Sequence, residues 1–212
     1  MIKAIAFDMD GVLIDAKDWH YEALNRALRL FGLEISRYDH LTTFDGLPTK
    51  RKLELLSVEG YLPRALHGFI NDMKQRYTME IVNVQCKPQF IHEYALSHLR
   101  ARGYQLAVCS NSIRSTIDVM MERAALQPYL AFTISNQDVV KAKPDPEMYN
   151  LAITRFGVSA EEVLIVEDNE NGLRAARASG AHVLAVSGVQ DVTYATIAAR
   201  IAEIDGAALC ER

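Results

Sequence analysis

The 212-residue sequence predicts an α/β protein: a parallel sheet with helices on both faces and an all-helical block inserted after the first strand. Three observations carry that expectation. From about residue 84 onward, short apolar and β-branched runs alternate with helical patterns, as in successive βαβ units. The run Ala4–Phe7 has the length and apolarity of a buried strand and belongs with that set. Residues 15–83, lying between, show helical periodicity and no strand pattern. The expected division is a core of residues 1–14 and 84–212 and a helical domain of residues 15–83.

In chain order, Ala4–Phe7 leads into Asp8-Met9-Asp10-Gly11-Val12-Leu13-Ile14-Asp15. Beyond it, Trp19, Ala23, Ala27 and Leu30 recur at three- and four-residue steps, widened by Leu24, Leu28 and Phe31. That stripe predicts an amphipathic helix stopped at Gly32. Arg37 to Asp45 is polar and irregular. Gly46-Leu47-Pro48-Thr49 reads as a turn, with Thr49 capping a helix over Lys50–Ser57. A further helix is expected from about Pro63 to Tyr77.

Phe90–Arg102 is amphipathic and ended by Gly103. Tyr104–Cys109 is a strand that stops at Ser110-Asn111-Ser112, and Ser112 or Ser115 would start a helix over Thr116–Ala125. Leu130–Ile134 is a strand, and Pro146–Phe156 a helix ended by Gly157. Val163–Val166 is a strand stopped by Glu167-Asp168-Asn169. Gly172–Ser179 is a small-residue helix ended by Gly180, and Val183–Val186 is the last clear strand. Residues 188–212 read as a peripheral helix with loops.

Composition narrows the function classes. Half of the residues are hydrophobic and 24% are charged, a soluble globular profile. The formal net charge is −4 and no basic tract stands out, which argues against nucleic acid as a partner. The three cysteines, Cys86, Cys109 and Cys210, form no CxxC pair, so no zinc site is expected. Their odd number, without a signal peptide, suggests a cytoplasmic protein. No apolar run approaches a membrane span. Oligomeric state is not legible in the sequence.

Chemistry concentrates after the first strand. If the strand geometry continues, Asp8 and Asp10 point the same way, and Gly11 lets the chain turn after them. Two uncompensated carboxylates at a strand end repel one another. A divalent cation would relieve that, and Mg²⁺ takes a few carboxylate oxygens with water and substrate phosphate. An EF-hand is excluded, because its fifth and sixth positions counted from Asp8 are Val12 and Leu13. The competing reading is a solvated turn after an edge strand. Ligands of parallel sheets sit beyond the carboxyl ends of the strands. Those ends carry Asp8/Asp10, Ser110/Asn111 and Glu167/Asp168, with Lys143 on a loop after the strand at 130–134.

At these residues the chain resembles the haloacid dehalogenase (HAD) superfamily. More closely, it resembles the phosphatases and phosphomutases with a small helical cap, the β-phosphoglucomutase-like group. The family's DxDGxxxD motif is matched by Asp8, Asp10, Gly11 and Asp15, and its strand-end serine by Ser110. Its lysine in a KPxP context is matched by Lys143-Pro144-Asp145-Pro146. Its acidic pair before a small-residue helix is matched by Glu167-Asp168, with Gly172, Ala175 and Ala176 beyond.

The resemblance implies a Rossmann-like core with a helical cap, and assigns roles. Asp8 would be the nucleophile that forms an aspartyl-phosphate, and Asp10 the general acid and then base. Mg²⁺ would be held by Asp8, the Asp10 carbonyl and Asp168, with Glu167 supporting. Ser110 and Lys143 would bind the phosphoryl oxygens, and Asn111 would orient the phosphate or Asp8.

Plainer readings compete residue by residue. Ser110 could cap a helix, Lys143 be a solvated lysine, and Glu167-Asp168 complement a helix N-terminus. His20 is read as packing or hydrogen-bonding in the cap hinge, with a substrate contact as the lesser reading. Met120-Met121 is read as core, and Lys50, Arg51 and Lys52 as a solvated helix start that could also face an anionic substrate. The activity implied is Mg²⁺-dependent hydrolysis of a small phosphorylated metabolite, such as a sugar phosphate. A phosphomutase is the alternative. Its group carries a cap arginine after a Gly-x-Ser turn, where this chain has Gly46-Leu47-Pro48-Thr49-Lys50-Arg51. A dehalogenase is disfavoured by Asp10 and the Glu167-Asp168 pair. Nothing motivates a non-catalytic binding protein, since each motif position is filled.

Overall fold

Five strands form one parallel sheet in a computed structural model, which describes residues 1–44 and 46–210. They are β1 (Ala4–Phe7), β2 (Gln105–Cys109), β3 (Phe132–Ile134), β4 (Val163–Glu167) and β5 (His182–Ala185), in the order β3-β2-β1-β4-β5. β1 is central, with Ala4 opposite both Gln105 and Val163. This is the α/β fold that the alternating pattern predicts. Two compact units result: Met1–Asp15 with Lys87–Arg212, and Ala16–Cys86.

The sheet unit is buried on both faces, as an all-parallel sheet must be. On one face Ala4, Ala6, Ala107, Cys109, Val163 and Ile165 pack with Met148, Tyr149, Ala152, Ala175 and Ala176. Ile5, Phe7, Leu106, Val108, Leu164 and Val166 alternate with them, so they point to the opposite face, where they too are buried.

The helical unit contains α1 (Lys17–Arg29), the single turn α2 (Arg37–Asp39), a π-turn at His40–Phe44, α3 (Thr49–Val58) and α4 (His67–Gln85). Its core is Leu24, Ala27, Leu28, Ile35, Phe44, Leu53, Leu62 and Ile70. Asn25 is fully buried within it. Its side-chain nitrogen donates to the Ile35 carbonyl and its oxygen accepts from the Ile35 N–H, both at 2.9 Å, pinning the chain beyond Gly32.

Several local expectations change here. Leu30 and Phe31 are exposed, because α1 ends at Arg29 and Gly32 turns the chain at φ 70°. Thr49 is not a cap; Pro48 occupies that position without a side-chain bond. Lys52 is buried, unlike the exposed Lys50 and Arg51, since it neighbours Leu53 on the inward face of α3. Its aliphatic stem suits such a site. α4 runs eight residues beyond Tyr77, to Gln85. Ile70, Lys74, Thr78 and Val82 are buried at four-residue steps, and that burial outweighs the weak helix preference of the β-branched residues. His20 Nδ1 lies 3.2 Å from Lys74 Nζ. The polar stretch Arg37–Asp45 ends on a residue outside those described.

The remaining helices are α5 (Phe90–Ala101), α6 (Arg114–Arg123), α7 (Glu147–Phe156), α8 (Glu170–Ala178) and α9 (Tyr194–Cys210). Neither Ser112 nor Ser115 caps α6; Ile113 stands at its N-cap, without a side-chain bond. Met120 and Met121 are core. Cys86 and Cys109 are buried and form no disulfide, and burial, the largest influence, pushes the Cys109 thiol up to about 12. The side chain of Cys210 lies outside the described residues. No helix among those described is long and apolar enough to cross a membrane.

The turn after β3 is fastened by Asp138. Its Oδ2 accepts from the Ser135 N–H and hydroxyl, each at 2.7 Å, and from the Arg114 guanidinium. Burial raises the Asp138 carboxyl, but these donors outweigh it and hold the pKa at about 2. A depressed folded-state pKa contributes stability that is complete above the unfolded value near ~4 and is lost as pH falls through about 2. Asp138→Asn should therefore cost about 1–3 kcal/mol at pH 7 in urea unfolding. The gap from wild type should close as pH falls from ~4 toward 2. A gap independent of pH would overturn the assignment.

Candidate active site

The site lies just beyond the carboxyl ends of β1, β2 and β4. The ladder continues one residue past β1, since the Asp8 N–H donates to the Val166 carbonyl at 2.9 Å. This holds Asp8 at the sheet edge, 5% exposed. The chain then coils tightly, with the N–H groups of Leu13 and Ile14 on the Met9 carbonyl. Gly11, at φ 90°, adopts a backbone that side chains resist. Asp10 is half-buried and accepts from the Ser112 hydroxyl at 3.1 Å.

Lys143 is the hub. Its ammonium donates to Asp8 Oδ1 at 2.7 Å, to Glu167 Oε1 at 2.6 Å and to the Cys109 carbonyl at 2.7 Å. The solvated-lysine reading fails, because the side chain is 3% exposed. Burial pulls its pKa down, but Asp8 and Glu167 overcompensate and hold it above the ordinary lysine range. Asp8 is raised well above the usual carboxylate range, by burial first and Glu167 second; Lys143 opposes both without prevailing.

Glu167 is fully buried and satisfied on both oxygens. Oε1 accepts from Lys143 and, at 2.5 Å, from the Tyr149 hydroxyl; Oε2 accepts from the Asp168 N–H at 3.2 Å and the Asn169 amide at 3.4 Å. Gly172 makes room for it: a Cβ there would lie 1.9 Å from Glu167 Oε1. Asn169 caps α8 through the Gly172 N–H at 3.0 Å, so the acidic pair is not itself the helix cap.

Ligand oxygens of Asp8, Glu167 and Asp168 lie within 4.8 Å of one another. An all-carboxylate donor set suits a hard, oxygen-preferring divalent cation, not zinc held by sulfur and nitrogen. Three carboxylates against one ammonium leave net negative charge that such a cation would offset. Ser110 is buried, with its N–H on the Ile134 carbonyl and its Oγ accepting from the Ser112 N–H at 3.1 Å. It precedes Ile113, the N-cap of α6, and does not cap that helix. Asn111 bonds the Lys143 backbone, its Oδ1 accepting from the Lys143 N–H at 3.1 Å and its Nδ2 donating to the Lys143 carbonyl at 3.2 Å.

The haloacid dehalogenase-like hydrolase family profile matches residues 5–186. The chain belongs to that family. It is an enzyme of the HAD hydrolase class, and the matched span contains every candidate residue above. The chain is similar to a phosphorylated carbohydrates phosphatase of Thermotoga maritima, 27% identical over 182 residues, covering 84% of this chain and 82% of that one. It is also similar to a phosphoglycolate phosphatase of Photorhabdus laumondii subsp. laumondii, 27% identical over 183 residues, covering 84% and 77%. In fold it resembles the crystal structure of β-phosphoglucomutase from Clostridium difficile, with a TM-score of 0.83 at 18% identity over 96% of this chain and 98% of that chain.

Tyr149 and Ser112 are not among the candidate site residues of the sequence. Tyr149 hides in the apolar face of α7, where only its phenol, which needs a partner when buried, distinguishes it from core. Ser112 sits where a helix cap is the ordinary reading.

Proposed function

We propose that this HAD-family enzyme is a Mg²⁺-dependent phosphatase of a small phosphorylated metabolite, working through an aspartyl-phosphate on Asp8. One observation carries the reading: the buried Lys143 ammonium bridges Asp8 and Glu167 within a carboxylate cluster at the ends of parallel strands. The names of the similar phosphatases support a sugar phosphate or a phosphorylated small acid as substrate. Residues 15–83 would be the helical cap, and residues 1–14 with 84–212 the catalytic core.

Asp8 would attack phosphorus as its ester bond breaks, and Asp10 would hand a proton to the departing oxygen. Water would then attack the phosphorus of the aspartyl-phosphate, giving its proton to Asp10 and restoring the Asp8 carboxylate. Lys143 and Ser110 would hold the phosphoryl oxygens. Asp8, Asp168 and the Asp10 carbonyl would hold Mg²⁺, with Glu167 in support. Once bound, the cation offsets the repulsion between the carboxylates and the substrate's phosphate.

The test is phosphate release from a panel of sugar phosphates, phosphoglycolate and pyrophosphate, with Mg²⁺ and with EDTA. Metal-dependent release from at least one sugar or small-acid phosphate is expected. No release from any member would overturn the reading. So would conversion of β-glucose 1-phosphate to glucose 6-phosphate without free phosphate, in the presence of a bisphosphate, since that is mutase chemistry.

A further inference from the structure

We propose that Asn111 is a positioning residue that sets Lys143 in the site, and not a ligand of the phosphoryl group. For its catalytic consequence this rests on the phosphatase reading. Lys143 poses a structural problem: it stands between β3 and α7, on chain with no strand or helix to fix it, yet its ammonium meets three acceptors at 2.6–2.7 Å. Such placement requires the backbone to be held as tightly as the side chain.

Asn111 supplies that hold. Its amide matches one peptide unit in both polarities, oxygen to the Lys143 N–H at 3.1 Å and nitrogen to the Lys143 carbonyl at 3.2 Å. A carboxamide is the side chain with that pairing; aspartate offers only acceptors and leucine nothing. Asn111 is itself anchored, two residues beyond β2, where its carbonyl accepts from the Asn136 amide at 2.8 Å. Three stretches of chain are thereby joined: the end of β2, the turn after β3, and the segment bearing Lys143. The chain uses the same device once more, where Asn25 grips both backbone groups of Ile35 in the helical unit. There no phosphate chemistry is at stake, so the pairing stands as a backbone clamp in its own right. With its Oδ1 and one Nδ2 hydrogen engaged by the Lys143 backbone, Asn111 is assigned to that peptide unit, and the phosphoryl oxygens to Ser110 and Lys143.

The experiment uses the full chain labelled with ¹⁵N-lysine. In the wild type the buried Lys143 ammonium should give a slowly exchanging signal, assigned by its loss in Lys143→Ala. Asn111→Leu should broaden or remove that signal, and Asn111→Asp, which keeps one of the two bonds, should be intermediate. With p-nitrophenyl phosphate and Mg²⁺, Asn111→Leu should lower kcat about 10- to 100-fold, with KM changed by no more than about threefold. Inorganic phosphate binding, measured by calorimetry, should weaken in Asn111→Leu. The same substitution should add less than about twofold when Lys143 is already alanine, because coupled residues are not additive.

An unchanged ammonium signal in Asn111→Leu overturns the proposal. So does an equal loss of phosphate affinity with and without Lys143, which marks a direct ligand. If the wild type hydrolyses nothing, the phosphatase reading falls, while the ammonium signal still decides the clamp.

Discussion

Asp8→Asn is expected to fold normally and to lose about 10⁴-fold or more in turnover of whatever phosphorylated substrate the wild type accepts. An amide at position 8 keeps an oxygen to accept the Lys143 bond that Asp8 Oδ1 now takes at 2.7 Å. It loses the carboxylate proposed as the nucleophile. It also removes one of three clustered negative charges that a single ammonium does not balance. Burial and Glu167 already hold Asp8 well above the ordinary carboxylate range, which marks its ionised form as unfavourable in the folded protein. The metal-free variant should therefore melt at or above the wild-type temperature, a separation of stability from activity common at catalytic groups. Phosphate release and a thermal melt in EDTA check both halves. Turnover above about 1% of wild type would remove Asp8 from the nucleophile's place.

Lys143→Met should be the most destabilising single change at the site, costing about 3–5 kcal/mol at neutral pH. The Lys143 side chain is 3% exposed, and its removal leaves the Asp8 and Glu167 carboxylates buried without their cation. Methionine fills the stem's volume, so the loss measures charge and hydrogen bonding more than a cavity. Adding Glu167→Gln should recover part of the stability, since it removes one of the stranded charges. Activity should fall by about 10²-fold or more, because the proposed binding of phosphoryl oxygens by a fixed positive charge is lost. Urea unfolding of the single and double variants decides it. A loss below about 1 kcal/mol would show that the bridge is not what holds these carboxylates.

The elements read most directly from the sequence are those whose cause is local. Val163-Leu164-Ile165-Val166 and Ala4–Phe7 announce buried strands because a parallel sheet covered on both faces needs unbroken apolar runs. Gly157, ending α7 at φ 71°, is legible for a similar reason: the requirement sits in one residue's backbone. The reading falters where distant chain decides. The sequence ends the helix of α4 at about Tyr77, while the burial of Thr78 and Val82 that carries it to Gln85 is set by packing. Leu30 and Phe31 completed an apolar stripe on paper, yet the helix stops before them and leaves both exposed. Lys52 looked solvated by its type and is buried by its place on α3.

From the order of residues alone came the α/β class, the helical insertion, the carboxylates at strand ends and the KPDP segment that carries Lys143. These follow from spacing along the chain, which needs no knowledge of what lies across the sheet. Only the tertiary structure decided which side chain each of them meets: Tyr149 and Lys143 on the same oxygen of Glu167, Gly172 pressed against that carboxylate, and Asn111 turned away to the backbone of Lys143. Partners within the site lie as many as 135 residues apart, in the Lys143–Asp8 pair, and hydrogen-bond direction is settled by where folded strands end, not by sequence distance.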